Sequence, residues 1–120
     1  MPVYTIFHRG AIPSDKREEL AEALIDLHCN VTKAARESVK VMYIELDRDS
    51  FFSGGESTQE YVRAVGQIRC GRTEEQKMSI LRGMHDILRT VVGKDEIQIQ
   101  TQIVEIDDTK TVMTNGVLNT

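Results

Sequence analysis

The chain has 120 residues, of which 40% are hydrophobic and 28% are charged, and its formal net charge is −4 at pH 7. This length allows one packed core, and the acidic balance without any basic block argues against a nucleic-acid surface. Because no stretch is apolar enough to span a membrane and no signal-peptide pattern begins the chain, we expect a cytoplasmic protein that binds neither membrane nor nucleic acid.

The chain begins with Met1-Pro2-Val3. Initiator methionine is usually removed when the next residue is as small as proline, which predicts a mature chain with a free secondary amine at Pro2. An unperturbed α-amino group titrates near about 8, and burial lowers that pKa because the charged form loses its hydration. Pro2 is therefore a candidate neutral base near pH 7, provided that the rest of the chain builds a pocket around it.

The first half of the chain predicts a strand, a helix and a second strand. Residues 3–8 are typical of a β-strand, and Ser14 is placed to cap the following helix, which breaks near Glu37. Residues 39–46 form the next β-rich run, and we interpret Tyr4 and Tyr43 as packing residues on the two strands. The predicted apolar face of the helix consists of Leu20, Leu24, Leu27 and Val31.

The second half repeats this order. A strand over residues 61–69 precedes a capping-box pattern at Thr73–Gln76, an amphipathic helix that stops at Gly93, and a strand over residues 97–106. Ser14 and Thr73 have the same separation as Pro2 and Tyr61. The chain is therefore predicted to be one domain built from two β-α-β repeats, at about residues 1–58 and 59–120.

One such unit has too few strands to bury its own helix face. Joined, the two units predict an α+β fold: a four-stranded mixed sheet with two helices on one face, and parallel strands within each unit. Met42, Ile44 and Leu46, or their alternating partners, leave the other face in need of cover, which predicts an oligomer. We expect residues 111–117 to form a short hairpin that reaches a neighbouring subunit.

Several segments carry a family resemblance: Pro2, the helical run that ends at His28, the loop Phe52-Ser53-Gly54-Gly55, and Arg69-Cys70-Gly71-Arg72. With the tandem β-α-β order, they resemble the tautomerase superfamily, and within it the cis-3-chloroacrylic acid dehalogenase-like group of tandem 4-oxalocrotonate tautomerase-type chains. The resemblance implies that Pro2 is the catalytic acid or base, that Arg69 and Arg72 bind a substrate carboxylate, and that His28 assists. It also implies a homotrimer.

The chain departs from the dehalogenases of this group in two places. They carry a glutamate in the C-terminal segment and a tyrosine on the last long strand, which together activate water. Here the segment Val112–Gly116 contains no acid, and the strand position holds Gln100 or Thr101. Glu37 occupies a place similar to that of an acidic residue in malonate semialdehyde decarboxylase-like members. Phe51, Phe52, Glu37 and Gln100 are further candidates for the pocket.

The arginines suit a small carboxylate substrate. Arg69 and Arg72 would offer two planar guanidinium groups just before a helix N-terminus, and nearby cations favour a neutral amine at Pro2. The hypothesis is a tautomerase without cofactor or metal, in which Pro2 acts as general base on a small 2-oxo or enol carboxylate.

Alternatives remain open. The chain could be a cis-3-haloacrylate dehalogenase or hydratase, or a malonate semialdehyde decarboxylase-like lyase, in which Pro2 would act as a cationic acid. It could also be a non-enzymatic binding protein on the same fold. In a purely structural interpretation of the site residues, His28 is a histidine at the edge of the core, and Arg69 and Arg72 are solvated loop charges. Cys29 and Cys70 lack metal-type spacing and are interpreted as free thiols.

Overall fold

Strands and helices alternate as β-α-β and again as β-α-β. The computed structural model describes residues 2–10, 12–54, 60–93, 97–114 and 116. The predicted boundary between the repeats, near residue 58, lies outside these residues, as do Met1 and Gly55. The elements are β1 (Val3–Arg9), α1 (Arg17–Thr32), β2 (Lys40–Glu45), β3 (Tyr61–Arg69), α2 (Glu74–Val92) and β4 (Gln98–Ile106).

The strands form one mixed sheet with the order β2-β1-β3-β4. β1 runs parallel to β2 and β3 runs parallel to β4, whereas the two central strands, β1 and β3, are antiparallel. Val3 at the start of β1 lies opposite Gln67 near the end of β3. The predicted four-stranded mixed sheet is confirmed. The start of β1 and the end of β3 lie at the same end of the sheet.

The core lies between this sheet and the two helices. Even-numbered residues of β1 and β3 point toward the helices, as the alternation of a strand requires. Each large aliphatic side chain that is fully buried here stabilises the fold by about 1.5–3 kcal/mol relative to an exposed one. The helices contribute Leu20, Leu24, His28 and Thr32 from α1, and Ile80, Met84, Leu88 and Val92 from α2.

The helix ends agree with the sequence in α2 and differ from it in α1. Thr73 and Gln76 form the predicted capping box, and Gly93 ends α2 in the left-handed conformation. Ser14 does not cap α1, because Pro13 opens a 3-10 turn there and α1 begins only at Arg17. Glu37 is not the end of α1 either: the helix ends at Thr32, and Glu37 lies in a separate 3-10 turn.

The face of the sheet opposite the helices carries exposed apolar side chains. Met42, Ile44 and Val104 retain 49%, 44% and 36% of their accessible surface. The predicted uncovered face is therefore confirmed. Of the segment predicted as a hairpin, residues 111–114 lack regular structure and residues 115 and 117 lie outside the described part, so its contact with a neighbouring subunit stays a prediction. In the described ranges, no helix is both long and apolar enough to cross a membrane.

One separation relates both the helices and the strands of the two units, and it is one residue longer than that between Ser14 and Thr73. His28 in α1 corresponds to Leu88 in α2, and Lys33 corresponds to Gly93, since both end their helices in the left-handed conformation. At this separation, Pro2 corresponds to Val62, which faces the helices, and not to Tyr61 as predicted. The reason is the strand alternation, which places Tyr61 on the open face.

Candidate active site

The start of β1 places Pro2 in the interior. Pro2 is buried, and its carbonyl oxygen accepts a 3.1 Å hydrogen bond from the backbone N–H of Lys40, which fixes the entry to the strand. Tyr4 follows on the same face of β1, about 7 Å further along the strand. Pro2 therefore lies beside the side chain of Tyr4, on the side of the sheet that faces α1.

Tyr4 contacts His28 of α1. Its hydroxyl forms a 2.6 Å hydrogen bond with Nδ1 of His28, and both side chains are almost fully buried. Burial, with the positive charge of Arg72, lowers the pKa of His28 to about 4, so its imidazole is neutral near pH 7. Burial also raises the pKa of Tyr4, which remains a protonated phenol.

The two predicted arginines differ in position: Arg69 is the last residue of β3, and Arg72 lies in the connection between β3 and α2. Arg72 is half-buried, and its positive charge adds to burial in lowering the pKa of His28. The amide of Gln76 holds the start of α2 against α1 by donating to the carbonyl of Val31 at 3.2 Å. Arg69 is exposed at the end of β3 and, by strand alternation, lies on the open face.

The other pocket candidates divide between the two ends of the sheet. Glu37 lies at the same end as Pro2, because its carbonyl accepts a 2.7 Å bond from Nζ of Lys40, and its side chain is exposed.

Phe51 stacks on Tyr61 at the other end, with ring centroids 4.9 Å apart, and the Tyr61 hydroxyl donates to Oε1 of Gln100 at 2.8 Å. Phe52, 82% exposed, follows Phe51. The length of β1, about 23 Å, separates this end from Pro2. The structure therefore does not bring Phe51, Phe52 and Gln100 to Pro2 within one chain. A role for them in its pocket would need a second subunit, and stays a prediction.

Sequence reasoning missed two residues of this site. Tyr4 was expected to be a packing residue, and Gly66, which lies opposite it in β3, carried no expectation. The alternation of β1 places Pro2 and Tyr4 on one face, and this signal could have drawn attention to Tyr4. The partner of Tyr4 could not be found in this way, because His28 is 24 residues away in sequence.

The corresponding positions of the other repeat do not preserve the residues of this site. At the separation that relates the helices, Val62 takes the place of Pro2, Leu88 that of His28 and Ile12 that of Arg72. These three counterparts are buried apolar residues. Within the described ranges, no group of three His, Cys, Asp or Glu side chains is placed to hold a metal ion. Cys29 and Cys70 are free thiols, as predicted.

The fold, with the residues at this end of the sheet, is that of a tautomerase-type protein made of tandem β-α-β units. The chain belongs to the family described as "Putative oxalocrotonate tautomerase enzyme" (Tautomerase_3), whose model matches residues 1–119. The resemblance to the tautomerase superfamily is thereby confirmed. No curated protein matches the chain significantly in sequence.

Solved structures share the fold over nearly the whole chain. Native Ps01740 is 28% identical, with a TM-score of 0.85 and coverage of 92% of this chain and 99% of that one. The symmetric trimer of the wild-type fused 4-OT called Q0 is 18% identical, with a TM-score of 0.83 and coverage of 96% and 94%. N1, a member of the cis-3-chloroacrylic acid dehalogenase family, is 24% identical, with a TM-score of 0.79 and coverage of 98% and 83%.

Proposed function

We propose that the protein is a cofactor-free tautomerase in which Pro2, freed by removal of Met1, is the general base on a small 2-oxo or enol carboxylate. The observation that carries this proposal is the burial of Pro2 beside a neutral histidine, with a half-buried arginine close to that histidine. Burial and a neighbouring guanidinium both disfavour the charged form of an amine, which supports a base at Pro2.

The proposed reaction moves one proton between two atoms of the substrate. Arg72 binds the substrate carboxylate and so places the acidic proton next to the Pro2 nitrogen. Arg69 lies on the open face of the sheet, so the proposal does not assign it this role. The nitrogen removes that proton, and hydrogen-bond donors stabilise the negative charge that develops on the enolate oxygen. The proline ammonium then returns the proton to the alternative atom, so the amine is regenerated and nothing else is consumed.

The test combines intact mass with ketonisation of phenylenolpyruvate, in wild type and Pro2→Ala. We expect a mass that lacks Met1, and activity that falls by about 100-fold or more in Pro2→Ala, in which a flexible primary amine replaces the rigid secondary amine of the proline. Pro13→Ala is a matched control, because Pro13 is exposed in a 3-10 turn. A processed, folded protein without activity, or with activity unchanged in Pro2→Ala, would refute the proposal. A binding function would survive the substitution.

A lyase or hydratase is the second candidate, and the position of Glu37 favours it. This carboxylate lies at the Pro2 end of the sheet and is exposed, so it could assist a cationic Pro2 in decarboxylation of a 3-oxo acid or in hydration. Glu37→Gln separates the candidates, since proton transfer by Pro2 alone does not need this carboxylate. Loss of malonate semialdehyde decarboxylation with unchanged ketonisation would assign a lyase role to Glu37.

We also propose that the chain assembles as a homotrimer through the open face of the sheet. Exposed Met42, Ile44 and Val104 on that face support an apolar interface. The C-terminal Val112 and Met113, 71% and 56% exposed, offer a further apolar segment for a neighbouring subunit. The fused 4-OT called Q0, which shares the fold, is a symmetric trimer.

A further inference from the structure

We infer that Tyr4 is a positioning residue: its hydroxyl donates to Nδ1 of His28 and holds the imidazole in the Nε2–H tautomer, so that His28 offers the site a neutral hydrogen-bond donor. This inference deepens the proposed function and depends on it only for the identity of the acceptor. The tautomer itself is a property of the free protein.

The direction of the hydrogen bond follows from burial. Tyr4 Oη and His28 Nδ1 are 2.6 Å apart, and Tyr4 is 0% exposed. If the imidazole donated at Nδ1, the phenol proton would be buried without an acceptor among the described residues, which is unfavourable. A phenol that donates leaves Nδ1 as the acceptor, and the ring proton then resides on Nε2.

The opposite nitrogen of the ring, Nε2 of His28, is buried and has no hydrogen-bond partner among the described residues. The same holds for Nε of Arg72. Arg72 is close enough for its charge to act on the imidazole. Two buried donors without acceptors in one neighbourhood are complementary to an oxygen of a small anion, such as a carboxylate or a 2-oxo group.

The tautomer limits what His28 can do. While Nδ1 accepts from Tyr4 and Nε2 carries the proton, the neutral ring can donate to a substrate oxygen but has no lone pair available to remove a proton. Proton transfer is then left to the Pro2 amine, and His28 stabilises the oxygen on which negative charge develops.

The repeat supports a shared role for the pair. At the separation that relates the two helices, Leu88 takes the place of His28 and Ala64 takes the place of Tyr4, and both are fully buried. The second repeat therefore has neither the histidine nor its phenol partner. Gly66 makes room for the Tyr4 ring, because a Cβ at this position would lie 2.8 Å from Cε1 of Tyr4.

The decisive experiment is nitrogen NMR of the histidine rings in the full-length protein, with resonances assigned by His→Gln variants. In wild type at neutral pH we expect a protonated Nε2 and an unprotonated Nδ1 for His28. Tyr4→Phe should produce a mixture of tautomers. Tyr43→Phe is a matched control, because its hydroxyl donates to the backbone carbonyl of Arg17 and does not contact His28. A protonated Nδ1 in wild type, or a His28 spectrum unchanged in Tyr4→Phe, would overturn the inference.

A kinetic measurement tests the role in the reaction. Tyr4→Phe should lower kcat/KM for phenylenolpyruvate by about tenfold, as for one neutral hydrogen bond, whereas Tyr43→Phe should not. Tyr4→Phe should also change the acid side of the pH profile, where His28 takes up a proton. The titratable or charged groups near His28 are Tyr4 of β1, Cys29 of the same helix, Arg72 and the Pro2 amine. If Pro2→Ala retains activity, the proposed function fails, yet the NMR result still decides the inference. An unchanged kcat/KM with the expected tautomer shift would overturn the positioning role.

Discussion

Gly66 lies directly opposite Tyr4 in the antiparallel pair of β1 and β3, and its missing side chain is the space that the tyrosine ring occupies. A Cβ on residue 66 would come within 2.8 Å of Cε1 and 3.2 Å of Cδ1 of Tyr4. The ring is fully buried and its hydroxyl is bonded to His28, so it cannot move aside without breaking that bond. The requirement for glycine here is steric and is tied to the candidate site.

We predict that Gly66→Ala destabilises the protein by about 1–3 kcal/mol, the usual result of overpacking a core, and that it also lowers activity. Urea denaturation and phenylenolpyruvate ketonisation would measure the two effects. Gly54→Ala is the control, because a Cβ there meets nothing within 4 Å. Equal stability of the two alanine variants would contradict the steric argument.

Gly83 has a similar role between the helices. A Cβ there would lie 2.5 Å from Cδ1 and 3.2 Å from Cγ of Leu27, so α2 approaches α1 closely at this point. We predict that Gly83→Ala destabilises the wild-type protein in spite of the better helix propensity of alanine. In a Leu27→Ala background the clash is removed, and the same change should stabilise by about 0.5–1 kcal/mol. A double-mutant cycle of urea denaturation measures this reversal, and additive effects would refute it.

The sequence predicted those features of the fold that depend on local chemistry. The capping box at Thr73 and the stop at Gly93 were found because their hydrogen bonds join residues a few positions apart. The strand β3 was found from its run of β-forming residues. Ser14 failed as a cap because Pro13 opens a 3-10 turn, so that α1 begins three residues later, at Arg17.

The site was harder to predict, because its contacts join distant parts of the chain. The apolar spacing of α1 suggested Leu27 and Val31, which are half-buried against the core, but it did not find His28 and Thr32, which are buried next to them. A buried histidine does not follow from hydrophobic periodicity, since its burial depends on a partner in β1. Only the family resemblance gave His28 a role, and it gave none to Tyr4.

The pKa of His28 predicts an acid-sensitive fold. The imidazole of His28 has a pKa of about 4 in the folded chain, whereas its ordinary pKa, which applies to the unfolded chain, is 6.5. As the pH falls, the unfolded chain therefore binds the proton before the folded chain does. The free energy of unfolding is therefore highest above about pH 6.5 and decreases by on the order of 2–3 kcal/mol as the pH falls to about 4. Burial also lowers the pKa of His8, which further reduces the stability of the fold at low pH.

Urea denaturation at pH 7 and at pH 4.5, at one protein concentration, measures this loss. His28→Gln should reduce the difference between the two pH values without abolishing it, because His8 remains. His85→Gln is the matched control, since His85 is an exposed histidine. The same pH dependence in wild type and His28→Gln would contradict the assignment.

The proposed trimer predicts different effects of two glutamate substitutions. Ile44 and Met78 are 44% and 42% exposed, but Ile44 lies on the open face of the sheet and Met78 on α2. Ile44→Glu would bury a carboxylate in the interface and should shift the protein from trimer to monomer, whereas Met78→Glu should leave the trimer intact. Light scattering on a sizing column measures the mass. A monomeric wild type, or a trimeric Ile44→Glu, would exclude this interface.

Arg72 is predicted to act on both the substrate and His28. Removing its charge by Arg72→Gln should raise the pKa of His28, but only part of the way to 6.5, because burial is the larger cause of the shift. The KM for phenylenolpyruvate should rise by about 10–100-fold, the scale of a lost charge-assisted hydrogen bond.

Arg72→Lys distinguishes the two effects, because lysine keeps the charge and loses the planar fork. It should leave the pKa of His28 low while KM still rises. Arg82→Gln, an exposed arginine of α2, is the control for the loss of one positive charge. NMR titration of His28 and steady-state kinetics measure the two quantities. If KM is unchanged in Arg72→Gln while the pKa of His28 rises, Arg72 tunes the histidine and does not bind the substrate carboxylate.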